Sequence, residues 1–348
     1  MKKVLKLGTS LALLLALGGC GSNEDTETKR TLVISTWGLS EDVLEEDVYG
    51  PFEELCNCDV ILETDTTANR YTKLSTNPDS NIDVIELSQS AAANGYAADL
   101  FEKIDTSKIP NLENIIDGAK ATVELGYGPA YTLNSIGIIY DKDAAGITID
   151  SWDDLWNPAL KGKISIPELS TTFGPAMVHL AADYKGVNVA DDNGEAAFKA
   201  LEELKPNIVR TYSKSSDLAN MFSAGEIAVA VVGDFGVPVI KNAHPEAEFV
   251  VPAEYTYANF NTIDINKNSQ NKDLAYQYIN WRISQELQTV TSKTLNEGPV
   301  NKLVELTEEE AANMTYGAVA ERARSIDYSV VNPLMKEWTD KWNRTINN

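Results

Sequence analysis

Histidine and cysteine are scarce in this chain, and so is positive charge. The 348 residues include 2 histidines and 3 cysteines, and 29 lysines and arginines stand against 52 aspartates and glutamates. So few histidines leave little material for a metal cluster or a histidine general base, and we expect no metal site and no cofactor. A net charge of −23 repels phosphate backbones, which argues against nucleic acid as a partner.

The chain also lacks the short motifs of common catalytic sites. It contains no Gly-x-Ser-x-Gly elbow, no phosphate-binding loop and no His-Glu-x-x-His motif. We therefore expect a binding protein and not an enzyme. An exported hydrolase stays open as the alternative, and turnover of esters, glycosides or phosphoesters would support it.

The one long apolar run lies at the N-terminus. Three lysines precede the run at residues 7–17, and Leu-Gly-Gly leads from it to Cys20. A positive stretch, a short apolar stretch and small residues are typical of a secretory signal, here residues 1–19, and the run is too short for a stable span. The residues before Cys20 resemble the bacterial lipobox, which implies a diacylglycerol on Cys20 and an anchor on the outer face of the cytoplasmic membrane. The small, polar and charged residues 20–30 predict a flexible tether.

The other two cysteines, Cys56 and Cys58, are separated by one residue. Export permits a disulfide, although a bridge over one intervening residue is geometrically tight. A local disulfide and two free thiols are both compatible with the sequence. No second pair of ligands supports a zinc site.

Strand and helix patterns alternate along the remaining chain. Predicted strands lie at residues 31–37, 59–66, 83–88, 127–132, 135–140, 163–167, 207–213, 227–232, 248–251 and 262–266. Predicted helices lie at residues 41–55, 68–75, 90–98, 171–184, 195–204, 216–224 and 271–292, with another at the C-terminus. The alternation predicts an α/β fold of parallel βαβ units, and a hydrophobic content of 43% suffices for sizeable cores.

Four segments resemble one receptor family. Residues 151–163, which read SWDDLWNPALKGK, are similar to a tryptophan-rich segment of the spermidine/putrescine-type periplasmic binding proteins of ABC importers. Residues 135–142, 221–229 and 271–281 are similar to further segments of that family and follow in the expected order. The resemblance implies a type II periplasmic-binding-protein-like fold with two lobes, each a mostly parallel sheet flanked by helices.

The resemblance also implies a domain plan and partners. Lobe 1 would comprise residues 30–137 and 262–310, lobe 2 residues 138–261, and the helices of residues 311–348 would pack across both. A small solute would be bound in the cleft and passed to permease and ATPase subunits by a monomeric, membrane-anchored receptor. A ligand sensor for a receptor kinase would have the same sequence features and stays open.

Candidate ligand contacts follow from the rule that open parallel sheets bind ligands beyond the carboxyl ends of their strands. That rule selects Trp37, Ser88, Gln89, Thr171, Thr172, Asp234, Phe235, Asn259 and Asn261. Ser88, Gln89 and the two threonines are equally suited to capping helices, and Phe235 to a core. A helix that begins near Thr171 would also offer N–H groups and a positive dipole end to a carboxylate or phosphate.

The expected pocket departs from that of polyamine receptors, which hold a long dication with an aromatic box and several carboxylates. Position by position, the first-strand tryptophan of the family is kept as Trp37, but later aromatic positions fall at Gly233 and Asn259. Negative charge remains at Asp234 and Glu297. We therefore expect a small zwitterionic or anionic ligand, amino-acid-like or an amino-phosphonate, with spermidine or putrescine as the alternative.

Overall fold

The computed structural model describes residues 29–38, 41–312 and 314–347. Cys20 and most of the tether lie outside the described residues, so the lipid anchor stays a prediction. Within the described ranges, no helix combines the length and apolar character needed to cross a membrane.

Strands from both halves of the chain form two connected sheets. The strands are β1 Arg30–Thr36, β2 Cys58–Thr64, β3 Val84–Ser88, β4 Ala130–Tyr140, β5 Ile164–Pro167, β6 Ile208–Tyr212, β7 Val229–Gly233, β8 Glu248–Val250, β9 Thr256–Ile265, β10 Gly298–Pro299 and β11 Ala323–Ser325. Their order along the main path is β2-β1-β3-β9-β4-β7-β5-β6. β1 is parallel to β2 and β3, and β5 is parallel to β6 and β7, so each lobe has a parallel set.

Helices flank both sheets. They are α1 Glu41–Leu44, α2 Gly50–Cys56, α3 Thr67–Thr76, α4 Gln89–Ala97, α5 Asp117–Glu124, α6 Lys142–Ala145, α7 Gly174–Tyr184, α8 Val189–Asp192, α9 Glu195–Leu204, α10 Ser215–Ser223, α11 Val237–Ala243, α12 Lys272–Arg282, α13 Gln285–Thr294, α14 Glu308–Ala311, α15 Ala318–Glu321 and α16 Tyr328–Thr345. A π-helical stretch, Glu45–Tyr49, joins α1 to α2.

Two antiparallel strands, β4 and β9, connect the lobes. β4 pairs with β9 up to Ser135, and from Ile136 onward it pairs with β7. The end of β9 pairs with β3, and its beginning pairs with β11. The predicted lobe limits at residues 137–138 and 261–262 therefore fall inside these two strands.

Separate apolar cores stabilise the two lobes. Tyr49, Phe52 and Tyr278 belong to the core of lobe 1, in which Phe52 and Tyr278 meet edge to face with ring centroids 5.1 Å apart. Trp338 and Trp342 of α16 are buried in the core of lobe 2. α16 also reaches lobe 1, because the Asn332 amide donates to the backbone carbonyl of Ser90 over 3.0 Å. The C-terminal helix thus contacts both lobes.

Three elements differ from their predicted form. The two strands predicted at residues 127–132 and 135–140 are the single strand β4. The helix predicted at residues 271–292 is divided into α12 and α13, because the Ser284 hydroxyl caps α13 by accepting the N–H of Leu287 at 3.2 Å. β9 begins at Thr256, ahead of the predicted start at residue 262.

The cysteine pair that the sequence left open is joined. Cys56 and Cys58 form a disulfide with their Cα atoms 5.2 Å apart. Asn57 between them adopts a left-handed backbone with φ of 49°, a conformation that asparagine tolerates better than most residues. The bridge closes the turn from α2 into β2.

Candidate functional site

A cavity of about 610 Å³ lies between the lobes, beyond the strand ends. Both lobes and the crossing strand β9 contribute to its walls. Six of the nine predicted site residues line it, namely Trp37, Ser88, Thr172, Phe235, Asn259 and Asn261. Most of the residues selected by the rule of strand carboxyl ends therefore lie together around one cavity.

Trp37 follows directly after β1 and forms part of the wall. Its indole N–H donates to the Thr67 hydroxyl over 3.1 Å, which fixes the ring plane. The Arg70 guanidinium lies over the ring, 4.3 Å from its centroid. Arg70 is itself buried and donates to the backbone carbonyls of Ser35 and Glu86. Trp37 is thus held from behind by a buried cation.

Asn259 and Asn261 lie on the same face of β9, since alternate residues of a strand point the same way. The Asn259 amide donates to the Asn261 side-chain oxygen over 2.8 Å. Phe235 follows directly after β7, is 51% exposed and stacks on Phe173 with centroids 6.0 Å apart. Amide groups and one exposed ring therefore line the same cavity.

Three predicted residues lie outside the cavity lining. The Gln89 amide is occupied by Ser325 and by the carbonyl of Ile326, both in the C-terminal segment. The Thr171 hydroxyl donates to the Glu168 carbonyl over 2.7 Å, and Thr171 borders a smaller neighbouring cavity. α7 begins at Gly174, so the Thr171 region is a turn ahead of the helix and not its first residues as predicted.

Asp234 is the third residue outside the lining, and it is only 2% exposed. Its carboxylate accepts hydrogen bonds from the hydroxyl of Thr315 at 2.6 Å, the amide of Asn134 at 3.2 Å and the backbone N–H of Phe235 at 2.8 Å. Burial raises the pKa of Asp234 to about 6 although these hydrogen bonds favour the charged form. These contacts tie β4 and the C-terminal segment to lobe 2.

The most buried charges at the cavity were not among the predicted contacts. Arg282 at the end of α12 binds Glu297 through two hydrogen bonds of 3.0 and 2.7 Å, and its Nε lies 3.5 Å from Glu86. The Arg282 guanidinium also lies 4.2 Å from the centroid of the Tyr131 ring. Burial disfavours its charged form, yet Glu297 and Glu86 raise the pKa of Arg282 above its usual range.

Glu86 completes this cluster from the middle of β3. It accepts hydrogen bonds from Thr36 at 2.6 Å, Tyr278 at 3.1 Å and Tyr131 at 3.3 Å. A buried charge is costly unless it is paired and hydrogen-bonded, and Glu86 meets both conditions. The sequence did indicate that these two charges are buried. Glu86 interrupts an apolar strand, and Arg282 directly precedes Ile283 of an apolar helix face.

The electrostatic result is a nearly balanced pocket. Among the described residues lining the cavity, Glu86 and Glu297 are the carboxylates, and both lie against Arg282. The other polar lining groups are serine, threonine, tyrosine and asparagine side chains. The groups available to contact a solute are therefore amides, hydroxyls, ring faces and the cluster of Arg282 with Glu86 and Glu297.

A two-lobed α/β fold with crossing strands and a cavity between the lobes defines an extracytoplasmic solute receptor. The family of bacterial extracellular solute-binding proteins matches residues 48–317, and this chain belongs to that family. Members of this kind are binding components of ABC transporters and not enzymes.

Individual relatives agree on the class and differ in ligand. The spermidine/putrescine-binding periplasmic protein of Salmonella typhimurium is 26% identical over 230 residues, and the match spans 65% of each chain. A crystal structure of an ABC transporter from Clostridium perfringens is 56% identical, covers 90% of this chain and 99% of that chain, and superimposes with a TM-score of 0.88. A GABA receptor shares the fold at 20% identity, covering 90% of this chain and 96% of its own, with a TM-score of 0.72.

Proposed function

We propose that this chain is the receptor of an ABC importer and captures a small solute that carries one cationic and one anionic group. Amino acids, ω-amino acids and amino-phosphonates have this chemistry. In the proposed cycle, lobe 1 (residues 30–137 and 262–310) and lobe 2 (residues 138–261) close on the solute about β4 and β9, as in other hinged receptors. The receptor acts as a monomer and delivers its solute to permease and ATPase subunits.

The position of the carboxylates carries this proposal. Glu86 and Glu297 both contact Arg282, so their negative charge is gathered at one point and half of it is neutralised. A diamine has two ammonium groups at its ends, and each needs a carboxylate or an electron-rich ring to replace its hydration. One partly neutralised acidic cluster suits one ammonium group.

The aromatic rings support the same conclusion. Arg70 lies on Trp37 and Arg282 lies on Tyr131, at 4.3 and 4.2 Å from the ring centroids. A cation is attracted to the negative face of a ring, and a guanidinium on one face lowers the attraction for a second cation on the other. The asparagine amides and Thr172 can donate hydrogen bonds to an anionic group instead.

A polyamine is the second candidate, because the curated relative from Salmonella typhimurium is named as a spermidine/putrescine-binding protein. Two glutamates at the cavity against one lining arginine leave a small excess of negative charge. This excess would favour a cation, so titration has to separate the two ligand classes.

Calorimetric titration tests the proposal. We expect at least one of glycine betaine, 4-aminobutanoate, 2-aminoethylphosphonate and the common amino acids to bind at micromolar concentration or below, and putrescine and spermidine to bind far more weakly. Trp37→Ala should weaken binding roughly 5- to 30-fold because a ring contact contributes about 1–2 kcal/mol. Leu125→Ala is the matched control, since Leu125 is 65% exposed and outside the cavity lining. Sub-micromolar binding of either polyamine would overturn the proposed ligand class.

The proposed membrane anchor rests on Cys20 and the sequence before it. A lipid at Cys20 with a tether to residue 30 would keep the receptor close to its permease and raise their effective concentration. Labelling with radioactive palmitate should mark the wild-type protein and not Cys20→Ser. Equal labelling of both would disprove the anchor without affecting the ligand proposal.

A further inference from the structure

A second cavity of about 190 Å³, here called the side chamber, opens off the main one. The two cavities share Ser88, Thr172 and Asn259 in their walls. α16 closes the far side through Tyr328 and Met335. A water molecule occupies roughly 30 Å³ in the liquid, so the side chamber has room for a carboxylate or phosphonate group.

The side chamber is lined by hydroxyl groups, and its described lining residues include no carboxylate, lysine, arginine or histidine. Ser90, Ser170 and Thr171 contribute hydroxyls, in addition to the shared Ser88 and Thr172. Glu168, the nearby acidic residue of the same turn, accepts the hydroxyl of Thr211 and does not line the chamber. Ser90 already donates to Asn332, and Thr171 donates to the Glu168 carbonyl. Ser88, Ser170 and Thr172 therefore remain as hydroxyl donors for an anionic group, and no carboxylate in the wall repels it.

Tyr328 supplies a donor that has no use within the described fold. The residue is only 5% exposed, and its hydroxyl has no hydrogen-bond partner among the described residues. Burial raises the pKa of Tyr328, so the hydroxyl keeps its proton. The hydroxyl oxygen is not among the unpaired polar atoms that are fully removed from solvent, so it is open to the chamber that Tyr328 lines. A ligand oxygen would provide the missing partner.

The start of α7 adds an electrostatic preference. The chamber wall runs from Leu169 to Thr172 and includes Pro175 in the first turn of α7, a helix of 11 residues. The first turn of α7 offers few free N–H groups, because Pro175 has none and the Gly174 N–H donates to the Thr171 carbonyl. The partial positive charge at this N-terminus still favours a bound anion over a neutral solute.

We infer that the side chamber is a subsite for the anionic group of the solute, with the Tyr328 hydroxyl as a direct hydrogen-bond donor to a carboxylate or phosphonate oxygen. The inference rests on the proposed function, because it assigns the second end of the same ligand. The ammonium end lies in the main cavity on the Glu297 side, and the anionic end passes between Thr172 and Asn259. The C-terminal helix thus takes part in recognition.

The test compares Tyr328→Phe with wild type by calorimetric titration, using the tightest-binding probe among 4-aminobutanoate, 2-aminoethylphosphonate and the common amino acids. Loss of one hydrogen bond to a charged group should weaken binding roughly 10-fold. Tyr316→Phe is the matched control, because its hydroxyl donates to the Val304 carbonyl over 2.8 Å and lies outside both cavity linings. The control should change affinity less than about twofold and should lower thermal stability instead.

The outcomes separate this inference from the proposed function. Tyr328→Phe should unfold at the same temperature as wild type or higher, since the hydroxyl it loses is unpaired, so weaker binding cannot be attributed to unfolding. Unchanged affinity of Tyr328→Phe for a probe that binds the wild type would overturn the subsite alone. Failure of the wild type to bind every zwitterionic probe would overturn the proposed ligand class and the subsite with it.

Discussion

At the scale of single residues, the cavity depends partly on side chains that the rule of strand carboxyl ends does not select. Trp37, Ser88 and Asn259 could be located from the sequence because each follows or lies on a strand near the expected cleft. Arg70 and Arg282 could not be located, since both belong to helices that pack on the sheet. Arg282 lines the cavity, and Arg70 contacts Trp37 without lining the cavity. Their guanidinium groups lie on the Trp37 and Tyr131 rings and lower the attraction of those rings for a cationic ligand group.

The buried ion cluster gives the first prediction about stability. Arg282→Met should lower the free energy of unfolding by about 3–5 kcal/mol, because it leaves Glu86 and Glu297 at the cavity without their cation. Urea denaturation measures the change. Arg30→Met is the control, since Arg30 pairs with Asp273 in an exposed ion pair and its loss should shift the midpoint little. Equal midpoints for both variants would show that the cluster contributes no stability.

At the scale of elements, the alternation of strands and helices was largely predictable from the sequence. α9 coincides with its predicted range of 195–204, because its apolar residues keep helical spacing. β4 was predicted as two strands with a gap at residues 133–134, but this gap lies just before the point where β4 leaves one sheet for the other. A polar interruption at a crossing cannot be distinguished from a turn by sequence alone.

Gly128, just before β4, lies very close to the backbone of β9, and this contact gives a prediction about stability. The Gly128 N–H donates to Asp264 over 3.0 Å, and a Cβ atom at residue 128 would lie 1.8 Å from the Ile263 carbonyl oxygen. Gly128→Ala should therefore cost about 1–3 kcal/mol or more in unfolding free energy. Gly186→Asn is the control, because Gly186 has φ of +67° in open space and asparagine tolerates that conformation. A Gly128→Ala protein as stable as wild type in urea would contradict this account.

At the scale of the whole molecule, stability should depend on pH through two buried carboxyl groups. Burial raises the pKa of Asp264 to about 7 and that of Asp234 to about 6, against an ordinary value of 3.8. The folded state then holds protons that the unfolded state has released. Stability is therefore highest near the ordinary carboxyl pKa and falls as the pH rises through about 6 and 7.

Substitution of Asp264 tests this pH dependence. Between pH 5 and pH 8 the wild type should lose about 2–3 kcal/mol through Asp264, since each unit of pKa shift corresponds to about 1.4 kcal/mol. Asp264→Asn should show a flatter profile, because the amide keeps an acceptor for Gly128 and can donate to Thr262. Asp340→Asn on the exposed face of α16 should follow the wild-type profile. Urea titrations at several pH values measure all three proteins, and parallel profiles would refute the assignment.

The location of Trp37 has a practical consequence for observing the receptor at work. The chain has 6 tryptophans, and Trp37 is the one that lines the cavity. Four others anchor their indole N–H groups on backbone carbonyls within the lobes, and Trp342 is buried. Solute arrival should therefore change the emission of one indole over a constant background from five. The receptor carries its own fluorescent reporter of occupancy, and transport kinetics could be followed without attaching a dye.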